Sequence, residues 1–146
     1  MNAEWTRAET WTRRGKGFIV QVNRHEVQLP DSYLGEGKRR WFVYAYIYPR
    51  HPHFLAFSGD DMWQDAATVM PMHGGPTLLR WHCGTDGKPT SVQVGADYNH
   101  LHDNCYTFFE TTDDAWMVFR DADELFEWLL KKGDCHDQRR IRAMVC

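Results

Sequence analysis

Trp41-Phe-Val-Tyr-Ala-Tyr-Ile-Tyr48 decides the fold. Every residue in it is apolar or aromatic, and β-branched and aromatic side chains fit a pleated, half-buried surface. Side chains alternate across a strand, so Trp41, Val43, Ala45 and Ile47 share one face and Phe42, Tyr44, Tyr46 and Tyr48 the other. Neither face carries a charge, which predicts a central strand covered on both sides. Pro49 ends it, because proline has no N–H for the ladder.

Toward the N-terminus, residues 28–40 form a loop punctuated by Pro30, Gly35 and Gly37 and closed by the basic triplet Lys38, Arg39, Arg40. Before it, Phe18–Val27 alternates as a strand with Phe18, Val20 and Val22 on one side. Residues 1–16 read as a polar N-terminal arm carrying two similar triplets, Trp5-Thr6-Arg7 and Trp11-Thr12-Arg13. Those triplets either stack on a partner or form a short strand or helix that packs its tryptophans on the core.

Toward the C-terminus, Asp60 and Asp61 precede a short helix over Met62–Met70, since acids in the first turn suit the helix dipole. A loop with Pro71, Gly74, Gly75 and Pro76 follows. Thr77–Cys83 and Thr90–Tyr98 form a hairpin turning at Asp86-Gly87. After a polar break at Asn99–Asn104, Cys105–Phe109 reads as a short fifth strand. A helix starts at Thr112-Asp113-Asp114, holds Ala115, Trp116, Phe119, Ala122 and Phe126 at helical spacing, and ends at Gly133 after Lys131 and Lys132. The predicted class is α+β: an antiparallel sheet of four to five strands with two helices packed on one face. One domain over residues 17–133 carries the arm before it and a basic tail at 134–146.

The chain has 146 residues, 42% hydrophobic and 25% charged, which excludes bulk disorder, collagen and coiled coil. It has no apolar run long enough to span a membrane. Met1-Asn-Ala-Glu-Trp5 lacks the basic-then-apolar layout of a secretory signal, and the four cysteines form no CxxC pair. Both features predict a cytoplasmic protein with reduced thiols. Net charge is −3, but residues 51–130 hold thirteen acids against three bases, between two basic ends. That balance disfavours direct nucleic-acid binding by the whole chain.

Two sets of residues carry candidate chemistry. His51-Pro-His53 and His100-Leu-His102-Asp103 are His-x-His pairs, and residues i and i+2 of an extended chain point the same way. His51, His53, His100, His102 and Asp103 are therefore candidate ligands for zinc or another divalent metal, with His73, His82 and Cys83 available to add to them. The other reading leaves these imidazoles in hydrogen bonds across loops beside the sheet. Met72-His73-Gly74-Gly75 is a glycine turn that could also bound a ligand pocket. Neither His82-Cys83 nor Cys135-His136 is a ready dyad, and no nucleophile elbow or phosphate loop is present. The second set is acidic. Between Glu110 and Glu127 stand seven acids and one base, Arg120, and such a row either imitates nucleic-acid phosphates before a basic partner or is simply a solvated helix face.

From Trp41 to Trp128 the chain resembles small proteins encoded on phages, prophages and plasmids of proteobacteria. The residues that carry this are Val43-Tyr-Ala-Tyr-Ile-Tyr-Pro-Arg-His-Pro-His-Phe54, Met62-Trp-Gln-Asp-Ala-Ala67, Val92-Gln-Val-Gly-Ala-Asp-Tyr-Asn-His-Leu-His-Asp103 and Phe119-Arg-Asp-Ala-Asp-Glu-Leu-Phe126. The resemblance implies an accessory protein of a mobile element, a setting in which proteins often blunt host defences. It brings no residue-by-residue activity.

The favoured expectation is a non-enzymatic binding protein that blocks a host protein or nucleoprotein defence complex, of anti-CRISPR or anti-restriction type. Exposed aromatics and Asp113, Asp114, Asp121, Asp123, Glu124 and Glu127 would form its surface. It needs no cofactor and no membrane, and a homodimer is left open. The alternatives are a metal-dependent hydrolase built on the two His-x-His pairs, and a small-ligand or nucleotide binder with a pocket between the face of Tyr44, Tyr46 and Tyr48 and the histidine loops.

Overall fold

The computed structural model describes residues 5–7, 10–28, 35–100 and 103–145, the backbone alone for 6–7 and 134–145. Six antiparallel strands form one sheet: β1 (Thr6–Arg7), β2 (Thr10–Gly15), β3 (Phe18–Glu26), β4 (Arg39–Ile47), β5 (Leu78–Cys83) and β6 (Pro89–Asp97). Their spatial order is β1-β2-β3-β4-β6-β5, so the 41–48 stretch is central, with β3 on one side and β6 on the other. Val43 lies opposite Val22 and Ala96, and Ala45 opposite Val20 and Val94, which lines one face with small and branched side chains.

That face is sealed by α2 (Trp116–Val145). The helix buries Ala115 just before it and Val118, Ala122, Leu125 and Leu129 along it, the i, i+3/i+4 stripe of an amphipathic helix. Trp11 stacks on Trp41 at 5.8 Å, and Phe119 meets both rings edge-on. A buried aliphatic or aromatic side chain contributes about 1.5–3 kcal/mol by leaving water, so this layer dominates the fold's stabilisation.

The α+β class holds, with differences in detail. The central strand is covered on one face rather than two: among the described residues no helix packs on the side of Phe42, Tyr44 and Tyr46, which are half-buried. Of the two readings of the N-terminal triplets, the short strand packing on the core holds in place of a polar arm: residues 10–15 are a strand whose Trp11 enters the core, and Trp5 is buried too. The helix expected over Met62–Met70 contracts to one turn, α1 (Asp65–Thr68), because Asp61 and Gln64 engage backbone N–H groups of the preceding turn. Cys105–Phe109 is not a strand. Asn104–Phe108 is a 3₁₀ helix, its Thr107 hydroxyl donating to the Asn104 carbonyl and accepting from Gly37 N–H.

The long helix begins later than expected and ends later. Thr111 and Asp114 bond each other's backbone N–H reciprocally, a capping arrangement that starts the turn from which α2 grows. Gly133 does not stop α2, whose backbone continues through the expected tail to Val145. One interior glycine costs a helix only about 1 kcal/mol.

Candidate functional site

The outward side of α2 carries a groove of about 630 Å³. Trp5, Trp116, Phe119 and Trp128 give it an apolar floor, and Pro71 borders it. Asp113, Asp123, Glu124 and Glu127 line it with carboxylates, against the cations Arg120 and Lys131. The helical period explains the mixture: positions 116, 120, 124 and 127 fall on the side opposite the core stripe, where nothing in the fold demands an apolar residue. Trp116 nevertheless sits there and is 57% exposed.

The groove's tryptophans already attract cations. The Arg120 guanidinium lies 5.4 Å from the Trp116 ring, and the Lys132 ammonium 5.1 Å from the Trp128 ring. An aromatic face draws a cation by its quadrupole, worth about 0.5–1 kcal/mol at exposed positions. These same-helix contacts show that both rings present a face a cation can reach.

The structure sorts the six sequence-predicted acids. Asp113, Asp123, Glu124 and Glu127 reach the groove. Asp114 holds the helix start, accepting from Glu110 and Thr111 N–H, and these bonds lower its pKa below the usual carboxylate value. Asp121 turns inward and accepts from the Tyr98 hydroxyl at 2.6 Å. Burial first, and then that carboxylate, push the Tyr98 phenol well above its ordinary value. Asp123 also accepts from Arg13 at 3.1 Å and from the Trp5 indole at 3.2 Å, which fastens the N-terminal segment to the helix. Asp113 and Glu124 take no ion pair among the described residues.

The histidines separate into two groups. His51 is buried and caps a 3₁₀ helix at Pro52–Ala56. Its Nε2–H donates to the Leu129 carbonyl at 2.9 Å, and its Nδ1 accepts from His53 N–H at 3.1 Å. His53 Nε2–H donates to the Ala66 carbonyl at 2.6 Å, and burial lowers its pKa. Both rings are thus tied to backbone carbonyls, His51 bracing α2 and His53 holding α1. The expected i, i+2 pairing fails because Pro52 opens a 3₁₀ turn, which does not point alternate side chains the same way.

His100 and Asp103 fall elsewhere, and His73 joins them. Asp103 Oδ2 is 2.8 Å from His73 Nε2, 3.2 Å from His100 Nδ1 and 3.0 Å from His100 N. Burial works against the Asp103 charge, but the bonds from His73 and His100 outweigh it, and its pKa is lowered. His73 stacks on Tyr98 at 4.3 Å and 10°. His102 lies outside the described residues. His82 bonds Gln93 at 2.8 Å, and Cys83 is exposed. Tyr44 and Tyr46 stand on the uncovered sheet face, with Arg14 and Arg80 in the row of Tyr46.

Sequence reading missed Trp5, Trp128 and Lys131 as groove residues and underweighted His73. A lone histidine in a glycine turn gives no local sign of a carboxylate thirty positions on. No family model, curated protein or solved structure matches the chain. Among the described residues, no helix is long and apolar enough to cross a membrane.

Proposed function

We propose that this is a binding protein, and that the outward side of α2 docks on a partner presenting arginine or lysine beside apolar side chains. The observation that carries the reading is the groove itself, an aromatic floor ringed by four carboxylates on the side of the helix the fold leaves free. A flat acidic helix face would be ordinary solvation. Here an exposed Trp116 and a recess of about 630 Å³ accompany the acids, and exposed aromatics of this kind anchor interfaces. Carboxylates around such an anchor steer a basic partner and fix its orientation. A protein whose basic groove otherwise holds nucleic acid fits this chemistry, and docking there would compete with the nucleic acid. An inhibitor of a host defence complex is one form of that reading.

The test is direct. A short arginine- and leucine-rich peptide carrying a fluorophore is titrated with wild type and with the triple variant Trp116→Ala, Glu124→Arg, Glu127→Arg. The variant should bind at least about tenfold more weakly, or about 1.4 kcal/mol. Wild-type binding should also weaken as salt rises. Equal binding by the two proteins at low salt would refute the reading.

A further inference from the structure

We infer that His73, His100 and Asp103 form a binding site for one divalent first-row metal ion, two imidazoles and a carboxylate being a ligand set that zinc accepts. One ligand atom from each residue lies within 4.8 Å of the other two. Two of the three spacings come close to those of a coordination shell. Metal–ligand bonds of about 2.0–2.1 Å set at tetrahedral angles place neighbouring ligand atoms roughly 3.3 Å apart. His73 Nε2 and His100 Nδ1 stand 2.8 and 3.2 Å from one oxygen of Asp103. Both rings therefore converge on the same carboxylate oxygen, and a small shift of each admits a cation between them.

The surroundings fix the ligands in place. The Tyr98 ring stacks on His73, and Tyr98 is itself tied to α2 through Asp121. His100 N–H donates to Asp103 Oδ2, which clamps the carboxylate to the loop that carries His100. Gly74 has φ +68°, and a Cβ there would stand 3.1 Å from the His100 ring, so the glycine turn both bends and makes room for that imidazole. Asp97 Oδ1 lies 3.5 Å from His100 Nδ1 and adds negative charge beside the site. His73 and His100 are partly exposed, which gives an ion a path in from solvent. Three protein ligands leave a fourth position for water, the arrangement found where zinc activates a water molecule rather than only bracing a fold. The site shares no residue with the α2 groove, so it stands or falls separately from the docking proposal.

The experiment titrates cobalt(II), then zinc(II), into protein stripped with a chelator. Cobalt's visible absorption reports coordination, and zinc competition reports affinity. Wild type should take up one ion per chain with the absorption of a low-coordinate cobalt site, and zinc should displace it. His73→Gln and Asp103→Asn should each weaken zinc binding roughly tenfold to a hundredfold or more, since even partners behind the ligands have effects of that size. His82→Ala, which alters a histidine bonded to Gln93, should bind as wild type does. Asparagine at 103 retains an oxygen for both rings, so that variant reports on metal affinity without depending on a lost fold. No uptake by wild type, or uptake unchanged in both ligand variants, would overturn the assignment.

Discussion

Two aromatic surfaces outside the core differ in what accompanies their rings. On the uncovered sheet face, Phe42 and Tyr44 stack at 5.8 Å and 10°, and Tyr44 lies across Gly95, where an added Cβ would collide with its ring at 2.3 Å. These rings cover each other and the neighbouring strand, and Arg14 and Arg80 lie in the next row, that of Tyr46. On the outward side of α2, Trp116 covers little of the fold, and the charges around it are mostly carboxylates. Aromatic content alone therefore does not identify an interface. A ring that shields backbone serves stability, whereas a ring left 57% exposed near Asp113 and Glu124, which take no ion pair among the described residues, is available to a partner.

The comparison breaks most easily at the two rings that define it. Tyr44→Ala should cost about 1–2 kcal/mol, because it uncovers Gly95 and removes a half-buried ring. Trp116→Ala should stay within about 0.5 kcal/mol, as surface substitutions do. Urea denaturation midpoints of the two variants measure the contrast, and equal losses would erase the distinction between a shielding ring and a free one.

A smaller effect sharpens the contrast between the two histidine groups. Burial depresses the His53 pKa below its ordinary value near 6.5, so the unfolded chain takes up a proton there more readily than the folded one. The stability this ring supports is full above that value and is lost as pH falls toward its folded pKa. His53→Gln keeps a donor for the Ala66 carbonyl and removes the titration. Its stability should fall less steeply from neutral pH to pH about 5 than that of wild type, measured by denaturation at several pH values. Parallel profiles would show that His53 is not held neutral by burial.

Much of the fold was legible in local pattern. The alternation in Trp41–Ile47 located the central strand, and the spacing of Ala115, Phe119, Ala122 and Phe126 located the helix that covers it. Where local pattern failed, the cause lay in contacts distant along the chain. An uncharged strand face looked buried, yet Phe42 and Tyr44 supply much of its cover themselves. The spacing of His51 and His53 assumed an extended chain, which Pro52 interrupts. Gly133 resembled a helix stop, although one glycine weakens a helix without ending it. Of the acid row, the sequence indicated the helix but not the sorting. Asp121 faces Tyr98 and Asp114 caps a turn, and neither role can be read from spacing. The groove needed Trp5, brought from the far end of the chain and fastened by Asp123.

The measurement that tests the central claim most directly is a two-dimensional NMR titration of the isotopically labelled protein with the arginine- and leucine-rich peptide. The account predicts saturable shifts at the Trp116 and Trp128 indole N–H signals and at the backbone of Glu124 and Glu127, while Tyr44, Tyr46 and Arg80 stay fixed. Shifts centred on the open sheet face, with the α2 signals unmoved, would contradict it.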